Sequence, residues 1–222
     1  VDMFLAEADY ILKYTNTTVT KDVKQIGVTD FSKTYKYTVD AASDSKGVVK
    51  GVSFQCCPAG LIYRRSIAKA LFGTDDPAKV QEKVSDWSMF DTVAAQAKEK
   101  GYFITASYAD TYRVFSNNAD SAWVDAEGNV KMPEVVKTWM TQAETYVKNG
   151  YTKTDGLWDA GKTAEFKNDG KAFCTFGPAW YYNFSMGTAM GSGTASSAPK
   201  KTDDGNSWGD WAVIQGPQSF FW

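Results

Sequence analysis

Polar side chains suited to ligand chemistry follow a strand predicted at residues 102–106. Tyr108, Asp110 and Arg113 supply a hydroxyl, a carboxylate and a guanidinium in close succession, and such groups can hydrogen-bond the paired hydroxyls of a sugar. Ligands of α/β sheets usually bind beyond the carboxyl ends of the strands. We therefore expect ligand contacts here. In the alternative interpretation, Asp110 is a surface residue that pairs with Arg113.

Aromatic side chains are a second resource for binding. They make up 15% of the chain, with 8 Trp, 12 Tyr and 13 Phe spread along it. Trp and Tyr combine a broad apolar face with a polar edge, which suits a sugar whose C–H face stacks while its hydroxyls form hydrogen bonds. Because most such rings lie in protein cores, their abundance favours carbohydrate binding without establishing it.

The sequence lacks the side chains that several catalytic and metal-binding classes require. It contains no histidine, which excludes Ser-His-Asp, Cys-His and histidine-based zinc chemistry. Cys56, Cys57 and Cys174 lack the paired spacing of a zinc site, so we expect no metal and no cofactor. We interpret the cysteines as structural, although Cys174 could bond to Cys56 or Cys57 in an oxidising compartment.

Charge and hydropathy argue against two classes of partner. With 24 basic and 26 acidic side chains, the formal net charge is -2, so no strong field would attract a nucleic acid or an anionic membrane. No apolar run is long enough to span a bilayer. The 222 residues suffice for one or two ordinary domains with a real core.

Helical and strand patterns alternate along the chain and predict an α/β sandwich with buried, largely parallel strands. Strands are predicted at residues 1–5, 48–54, 60–63, 102–106, 172–176 and 211–215. Helices are predicted at residues 7–14, from residue 67 to Gly73, and from Pro133 to residue 149. Three more helices are predicted to begin after N-caps at Asp30, Asp76 and Asp86. The apolar stripe of the last helix, including Trp139, is expected to be core. Residues 187–206, rich in Gly, Ser, Thr and Ala, predict a flexible surface segment.

Short segments with a recognisable order run through the whole chain. They are Val1-Asp2-Met3-Phe4 leading to Glu7-Ala8-Asp9, Lys50-Gly51-Val52 through Pro58, Ile62-Tyr63-Arg64-Arg65, Trp87, Gly150, Trp158, Gly170-Lys171-Ala172, Gly177 through Trp180, and Trp211 through Pro217. In this order they resemble the extracellular solute-binding proteins of carbohydrate ABC transporters, which are maltose-binding-protein-like receptors. The resemblance is strongest to the Gram-positive oligosaccharide receptors.

The resemblance implies a type II periplasmic-binding-protein-like bilobal α/β fold, with the sugar held in a cleft between two lobes. Residues 1–54 would be a partial first lobe and residues 55–217 the second lobe, with crossover segments near 52–58 and 215–218. Residues 218–222 would begin the return to the first lobe. Because family members are roughly twice as long, we expect a processed or truncated chain with an incomplete first lobe.

The resemblance also implies ligand contacts outside the group at Asp110, where the family often places a sugar-contacting acid. Glu7 and Asp9 match the acidic start of a first-lobe helix that faces the cleft, although both could simply interact with a helix dipole. Gln55 lies at a crossover, where its amide could bind sugar hydroxyls or satisfy hinge backbone groups. The aromatic positions that resemble stacking or cleft-lining residues are Trp158, Trp180 and Trp222.

The implied function is that of a non-catalytic receptor, which binds a sugar or oligosaccharide by hinge closure and delivers it to an ABC-transporter permease. We expect a monomeric, extracellular, cell-surface lipoprotein of a Gram-positive bacterium, whose signal segment and lipid anchor this sequence does not contain. The rival function is a glycoside hydrolase with Asp9 and Asp110 as acid and base, but these would lie in different lobes. A lectin-like module would typically be all-β, and the helical stripes at residues 86–100 and 134–148 argue against it.

Overall fold

The computed structural model describes residues 2–191, 200–201 and 206–222. The chain divides into two compact units, Val1–Cys56 and Cys57–Trp222. Within the described residues, no helix combines the length and apolar character that crossing a membrane would require. The two units are described separately below.

The first unit consists of short helices joined by loops. Its helices are α1 (Leu12–Thr15) and α2 (Lys36–Ala41), and a 3-10 helix (Val23–Ile26) lies between them. The 3-10 helix starts at Asp22, whose side chain accepts a hydrogen bond from the backbone N–H of Lys24 at 2.9 Å. Val23 and Ala42 are the buried apolar residues of this unit. A turn follows Asp44, whose carbonyl accepts a hydrogen bond from the backbone N–H of Gly47.

Three predictions for the first unit are wrong. Residues 2–5 have no regular secondary structure, and residue 1 lies outside the described part of the chain. Of residues 48–54, only Val49 pairs, in an isolated bridge with Ser43. Both segments have strand-like composition, but a strand needs a neighbour for its backbone groups, which composition does not supply. Asp30 caps no helix; its carboxylate accepts from the Ser32 N–H within a loop.

The second unit contains a mixed sheet and most of the helices. Its strands are β1 (Pro58–Arg64), β2 (Phe103–Thr105), β3 (Ala172–Pro178), β4 (Trp211–Ile214) and β5 (Phe220–Phe221). Its helices are α3 (Arg65–Phe72), α4 (Pro77–Lys83), α5 (Trp87–Glu99), α6 (Tyr112–Ser116), α7 (Glu134–Asn149), α8 (Ala160–Ala164), α9 (Ala179–Tyr181) and α10 (Gly187–Met190), with a π-helical turn (Tyr182–Met186) before α10. These bounds confirm the strands predicted near residues 60, 102, 172 and 211.

The strand order is β2-β3-β1-β4, and β5 pairs with the start of β1. β1 is antiparallel to β3, β4 and β5, and only β2 and β3 are parallel. The prediction of a largely parallel sheet is therefore wrong. Strands buried on both faces read as continuous apolar runs whatever their direction, so the sequence pattern of β3, which is buried at every position, did not reveal its orientation.

Two apolar clusters lie on opposite faces of β1, because alternate side chains of a strand point to opposite sides. Leu61 and Tyr63 join a larger cluster with residues from α3, α4, α5 and β3, whereas Ile62 joins a smaller cluster with Phe166 and Tyr181. The predicted caps of α4 and α5 are confirmed: Asp76 accepts from Lys79 N–H and Asp86 from Met89 N–H.

The prediction that the whole apolar stripe of α7 is core holds only in part. Val136, Ala143 and Tyr146 are buried, but Trp139 is half-buried and Val147 is 40% exposed. Trp139 packs edge-on against Tyr112 of α6 at 4.8 Å between ring centroids. The apolar stripe of α7 therefore extends beyond the part of the helix surface that is buried.

Most of the segment predicted to be flexible, residues 187–206, lies outside the described residues. Its first residues are helical: Gly187–Met190 form α10, with Gly187 and Met190 buried. For that part the loop prediction is wrong, because Met190 packs into the smaller apolar cluster and so ties the turn to the sheet.

Candidate functional site

Four aromatic residues, Trp158, Trp180, Tyr181 and Trp222, form a cluster on the second unit, hereafter the aromatic cluster. The Trp222 ring lies 5.4 Å from Trp180, 6.0 Å from Tyr181 and 6.3 Å from Trp158 between centroids. Trp158 is 59% exposed, and Trp180 and Trp222 are half-buried. The predicted aromatic positions are therefore brought together, and each of the three indoles is at least partly exposed.

The start of β1 brings Trp180 and Trp222 together. Ala59 pairs with Pro178, the residue at the end of β3, and on its other side with Phe220 of β5. The two chain segments leaving these strands therefore emerge next to each other. Trp222 is fixed further by its backbone N–H, which donates to the carbonyl of Cys57 at 2.8 Å.

Two asparagines that follow α6 hold the segment carrying Trp222. Asn117 Nδ2 donates to the Phe221 carbonyl at 2.7 Å, and Asn118 Nδ2 donates to the Ser219 carbonyl at 3.0 Å. A two-residue strand has too few ladder bonds to be rigid alone. The two asparagine hydrogen bonds therefore hold β5 in place in addition to its pairing with β1.

Gly177 allows the sharp exit from β3 into α9. A Cβ atom at this position would lie 2.6 Å from the ring of Tyr181, so any other residue would displace that ring. Pro178 then occupies the N-cap position of α9. Together these residues place Trp180 and Tyr181 directly beyond the end of β3.

Arg113 of α6 completes one side of the aromatic cluster. Its guanidinium carbon lies 5.1 Å from the centroid of the Trp222 ring, a cation–π distance. This contact joins one predicted polar residue to a predicted stacking residue. Tyr108, from the same predicted group, lies on the turn after β2 and is 37% exposed; among the described residues its ring contacts no member of the aromatic cluster.

A buried ion pair lies beneath the aromatic cluster. Lys162 Nζ of α8 is 2.5 Å from Asp110 Oδ1, and the two side chains are 1% and 0% exposed. Asp110 Oδ1 also accepts from Thr175 Oγ1 at 2.7 Å, while Oδ2 accepts from Ser107 N–H at 2.9 Å. The alternative interpretation of Asp110 as a surface residue is wrong, because its carboxylate is buried and holds β2, β3 and α8 together.

The charge of Lys162 is maintained by its partners. Burial by itself lowers the pKa of this ammonium, but Asp110 and Tyr181 more than offset that effect, and the pKa is raised above its usual value. Lys162 Nζ also lies 4.9 Å from the centroid of the Tyr181 ring. Burial raises the pKa of Tyr181, and the nearby ammonium opposes the rise, so at neutral pH the site contains an ammonium, a carboxylate and a neutral phenol.

A cavity of about 180 Å³ adjoins the aromatic cluster and shares Trp158 and Tyr181 with it. Its wall consists of apolar and aromatic residues interrupted by four polar side chains. The lining residues are Leu157, Trp158, Lys162, Thr163, Phe166, Tyr181, Phe184, Ser185 and Thr188. Sequence analysis missed Lys162, Ser185 and Thr188, since an isolated lysine or hydroxyl residue in a short helix gives no signal beyond that of a surface residue.

The remaining predicted site residues belong to the first unit. Glu7 and Asp9 are exposed and precede α1, which begins only at Leu12. Gln55 is exposed, and its backbone N–H and carbonyl both bond to the Ser53 hydroxyl, at 3.3 and 2.7 Å. Their role as ligand contacts stays a prediction.

In the part of the chain that the structure describes, no group of three or more His, Cys, Asp or Glu residues is arranged so that it could hold a metal ion. The three cysteines form no disulfide with one another: Cys56 is exposed, Cys57 half-buried and Cys174 buried. Cys174 Sγ donates to the Ile104 carbonyl at 3.1 Å, inside the sheet.

Structural comparison relates the fold to that of solute-binding proteins. A crystal structure described as extracellular solute-binding protein family 1 is 20% identical to this chain, with a TM-score of 0.74 over 97% of this chain and 53% of the other. The galacto-N-biose-/lacto-N-biose I-binding protein of an ABC transporter from Bifidobacterium longum, in complex with lacto-N-biose, is 16% identical, with a TM-score of 0.64 over 96% of this chain and 52% of the other.

A third solved structure is the ABC-transporter-associated binding protein from B. animalis subsp. lactis in complex with β-1,6-galactobiose. It is 15% identical, with a TM-score of 0.62 over 96% of this chain and 50% of the other. No family model and no curated protein sequence matches this chain. The chain therefore has the α/β fold of type II periplasmic binding proteins, and it spans about half the length of the solved structures it matches.

Proposed function

We propose that this chain binds the rings of a neutral oligosaccharide on the aromatic cluster of its second unit. The observation that carries the proposal is the convergence of Trp158, Trp180 and Trp222, each at least partly exposed, at the end of β3. Three indoles that offer faces and edges in one place suit the alternating C–H and hydroxyl surfaces of a sugar. Two of the structures sharing this fold hold disaccharides.

The second part of the proposal concerns transport. Proteins of this fold that serve ABC transporters are binding proteins, and we infer that this chain acts in the same way, delivering its sugar to a membrane permease. The protein would be a monomeric extracellular receptor, attached to a Gram-positive cell surface by a lipid anchor. This part rests on fold analogy alone and is separable from sugar binding.

The two units would correspond to a partial first lobe, residues 1–54, and a second lobe, residues 55–217, with residues 218–222 beginning the return. Glu7, Asp9 and Gln55 are proposed as polar ligand contacts, and residues 52–58 and 215–218 as hinge segments. A ligand can drive closure only to the extent that it binds the closed state more tightly.

No observation favours the glycoside hydrolase. Such an enzyme requires a carboxyl group that can reach a glycosidic oxygen or a water molecule. Asp110 is buried, with one oxygen held by Lys162 and Thr175 and the other by the Ser107 N–H. A carboxylate committed in this way positions its neighbours rather than exchanging protons with a substrate.

Calorimetric titration with neutral oligosaccharides tests the proposal. The panel comprises maltotriose, lacto-N-biose, β-1,6-galactobiose and chitobiose, each incubated and analysed for hydrolysis. We expect at least one sugar to bind intact. Trp222→Ala should weaken that binding by roughly 5-fold or more, because a nucleic-acid base stacked on an aromatic side chain contributes about 1–3 kcal/mol and we expect a stacked sugar ring to contribute a similar amount.

Trp123→Ala is the matched control, since Trp123 is 41% exposed and lies outside the aromatic cluster; its affinity should equal that of the wild type. Failure of every sugar to bind, or equal affinities for Trp222→Ala and wild type, would overturn the proposal. Release of shorter sugars during incubation would favour the hydrolase instead.

A further inference from the structure

The strand that leads to Trp222, β5, has a neighbouring strand on one side. Phe220 pairs with Ala59 of β1, and the next bond along this ladder runs from the Trp222 N–H to the Cys57 carbonyl at 2.8 Å. In the part of the sheet that the structure describes, β5 pairs with no strand other than β1. The backbone groups on its other edge therefore need partners of another kind.

Two side-chain amides occupy that other edge. Successive residues of an antiparallel strand direct their backbone groups to alternate sides, so the carbonyls of Ser219 and Phe221 face away from β1. Asn118 Nδ2 donates to the Ser219 carbonyl at 3.0 Å, and Asn117 Nδ2 donates to the Phe221 carbonyl at 2.7 Å. A neighbouring strand would also bond to carbonyls two residues apart. The two asparagines therefore act in place of a strand.

The asparagines are themselves fixed by α6. This helix buries Val114 and Phe115, and the Phe115 ring stacks on Trp87 of α5 with 4.5 Å between centroids. Asn118 Nδ2 also donates to the Val114 carbonyl at 2.7 Å, which orients its amide. The position of β5 is thus set by a helix that is anchored in the larger apolar cluster.

We infer that Asn117 and Asn118 are positioning residues of the aromatic cluster. By holding the backbone on both sides of Phe220, they fix the Trp222 ring 5.4 Å from that of Trp180 before a ligand binds. A ring that is already fixed loses little further conformational freedom on binding, so the sugar binds more tightly. This inference rests on the proposed function and adds two residues that act on the ligand only through Trp222.

The first arm of the test observes the Trp222 ring directly. The protein is labelled with 5-fluorotryptophan, and its fluorine NMR resonances are assigned with Trp222→Phe and, for a reference ring in β4, Trp211→Phe. In the double variant Asn117→Leu, Asn118→Leu, the Trp222 resonance should move toward its position in the unfolded protein, while that of Trp211 stays in place. Asn117→Leu alone should shift the Trp222 resonance in the same direction by a smaller amount, and it carries both arms should the double variant fail to fold.

The second arm measures affinity by calorimetric titration with the sugars named above. The double variant should bind roughly 2- to 10-fold more weakly than the wild type, which corresponds to ordering one further side chain on binding. In a Trp222→Ala background the same two substitutions should change the affinity by less than roughly 2-fold, because the ring that they position is gone. Asn149→Leu is the matched control, since Asn149 is an exposed asparagine at the end of α7, and it should bind like the wild type.

The outcomes separate the two proposals. An unmoved Trp222 resonance in the double variant, or an affinity equal to that of the wild type, overturns the positioning role. An equal loss of affinity in the Trp222→Ala background also overturns it, because the asparagines would then act on the fold rather than through Trp222. If no sugar binds the wild type, the proposed function fails, and the fluorine resonances still decide whether the asparagines fix the ring.

Discussion

The Lys162–Asp110 pair offers the sharpest test of how the second unit is stabilised. Lys162→Met keeps most of the side-chain volume but removes the partner of a fully buried carboxylate. The carboxylate can then escape an unpaired charge only by taking up a proton. For an ordinary pKa of about 3.9, protonation at pH 7 costs about 4 kcal/mol, at 1.36 kcal/mol per pH unit.

That cost is one part of the destabilisation, and it lies within the loss of about 3–5 kcal/mol found when buried ion pairs are broken. It also predicts a pH dependence. Protonating a carboxylate costs less free energy as the pH falls, so the penalty should shrink at lower pH. At pH 5 the same calculation gives about 1.5 kcal/mol.

The assay is urea unfolding of wild type and variant at pH 7 and pH 5, followed by tryptophan fluorescence and circular dichroism. Lys167→Met is the matched control, because Lys167 is exposed, and it should change stability by no more than about 0.5 kcal/mol. A loss below about 1 kcal/mol for Lys162→Met at pH 7, or a loss that does not shrink at pH 5, would refute the reasoning.

Three further predictions concern stability and reactivity. The Arg64 guanidinium donates to Asp210 and to the carbonyls of Lys167, Asn168 and Gly170, so Arg64→Lys should lower the free energy of unfolding in urea by about 2–4 kcal/mol. Arg65 is more exposed, and Arg65→Lys should leave the free energy of unfolding almost unchanged. Equal effects of the two substitutions would contradict the prediction. Burial, with Asp110 nearby, raises the pKa of the Cys174 thiol. Ellman's reagent should therefore modify the exposed Cys56 rapidly and Cys174 only when the protein unfolds. Rapid modification of both thiols in the folded protein would be inconsistent with a buried Cys174. Folding raises the pKa of Lys162, so the stability that its charge contributes is fully present below the unfolded pKa of about 10.4 and is lost as the pH rises through the folded pKa. The difference in Tm between wild type and Lys162→Met should therefore narrow as the pH rises above the folded pKa. A difference in Tm that stays constant over this range would contradict the prediction.

Local signals in the sequence were enough to predict most elements of the second unit. The caps at Asp76 and Asp86 and the apolar spacing that follows them depend only on nearby residues, and the structure confirms both helices. Strand direction depends on residues far apart in the chain. Ala59 pairs with both Pro178 and Phe220, and no local pattern reports such a partnership.

The site shows the same division between local and distant information. Trp180 and Trp222 could be proposed from the resemblance to sugar receptors, supported for Trp180 by its position after a predicted strand, and the structure places the two ring centroids 5.4 Å apart. Lys162 could not be proposed, because a lysine reads as a surface residue until a distant carboxylate is placed against it. Asp110 was predicted as a ligand contact, which stays a prediction; its burial arises only when β2, β3 and α8 are assembled and could not be predicted from the sequence.

The position of the ion pair has a meaning beyond stability. Replacing a buried pair with apolar residues of similar volume is often neutral or stabilising, so the Lys162–Asp110 pair is a poor device for stability alone. The pair does, however, fix the arrangement of three elements, because Asp110 follows β2, binds Lys162 of α8 and accepts from Thr175 Oγ1 of β3. A buried ion pair requires its partners in one geometry, whereas apolar side chains can pack in several. An apolar replacement of both residues should therefore keep the stability of the unit and loosen the placement of α8 against the sheet.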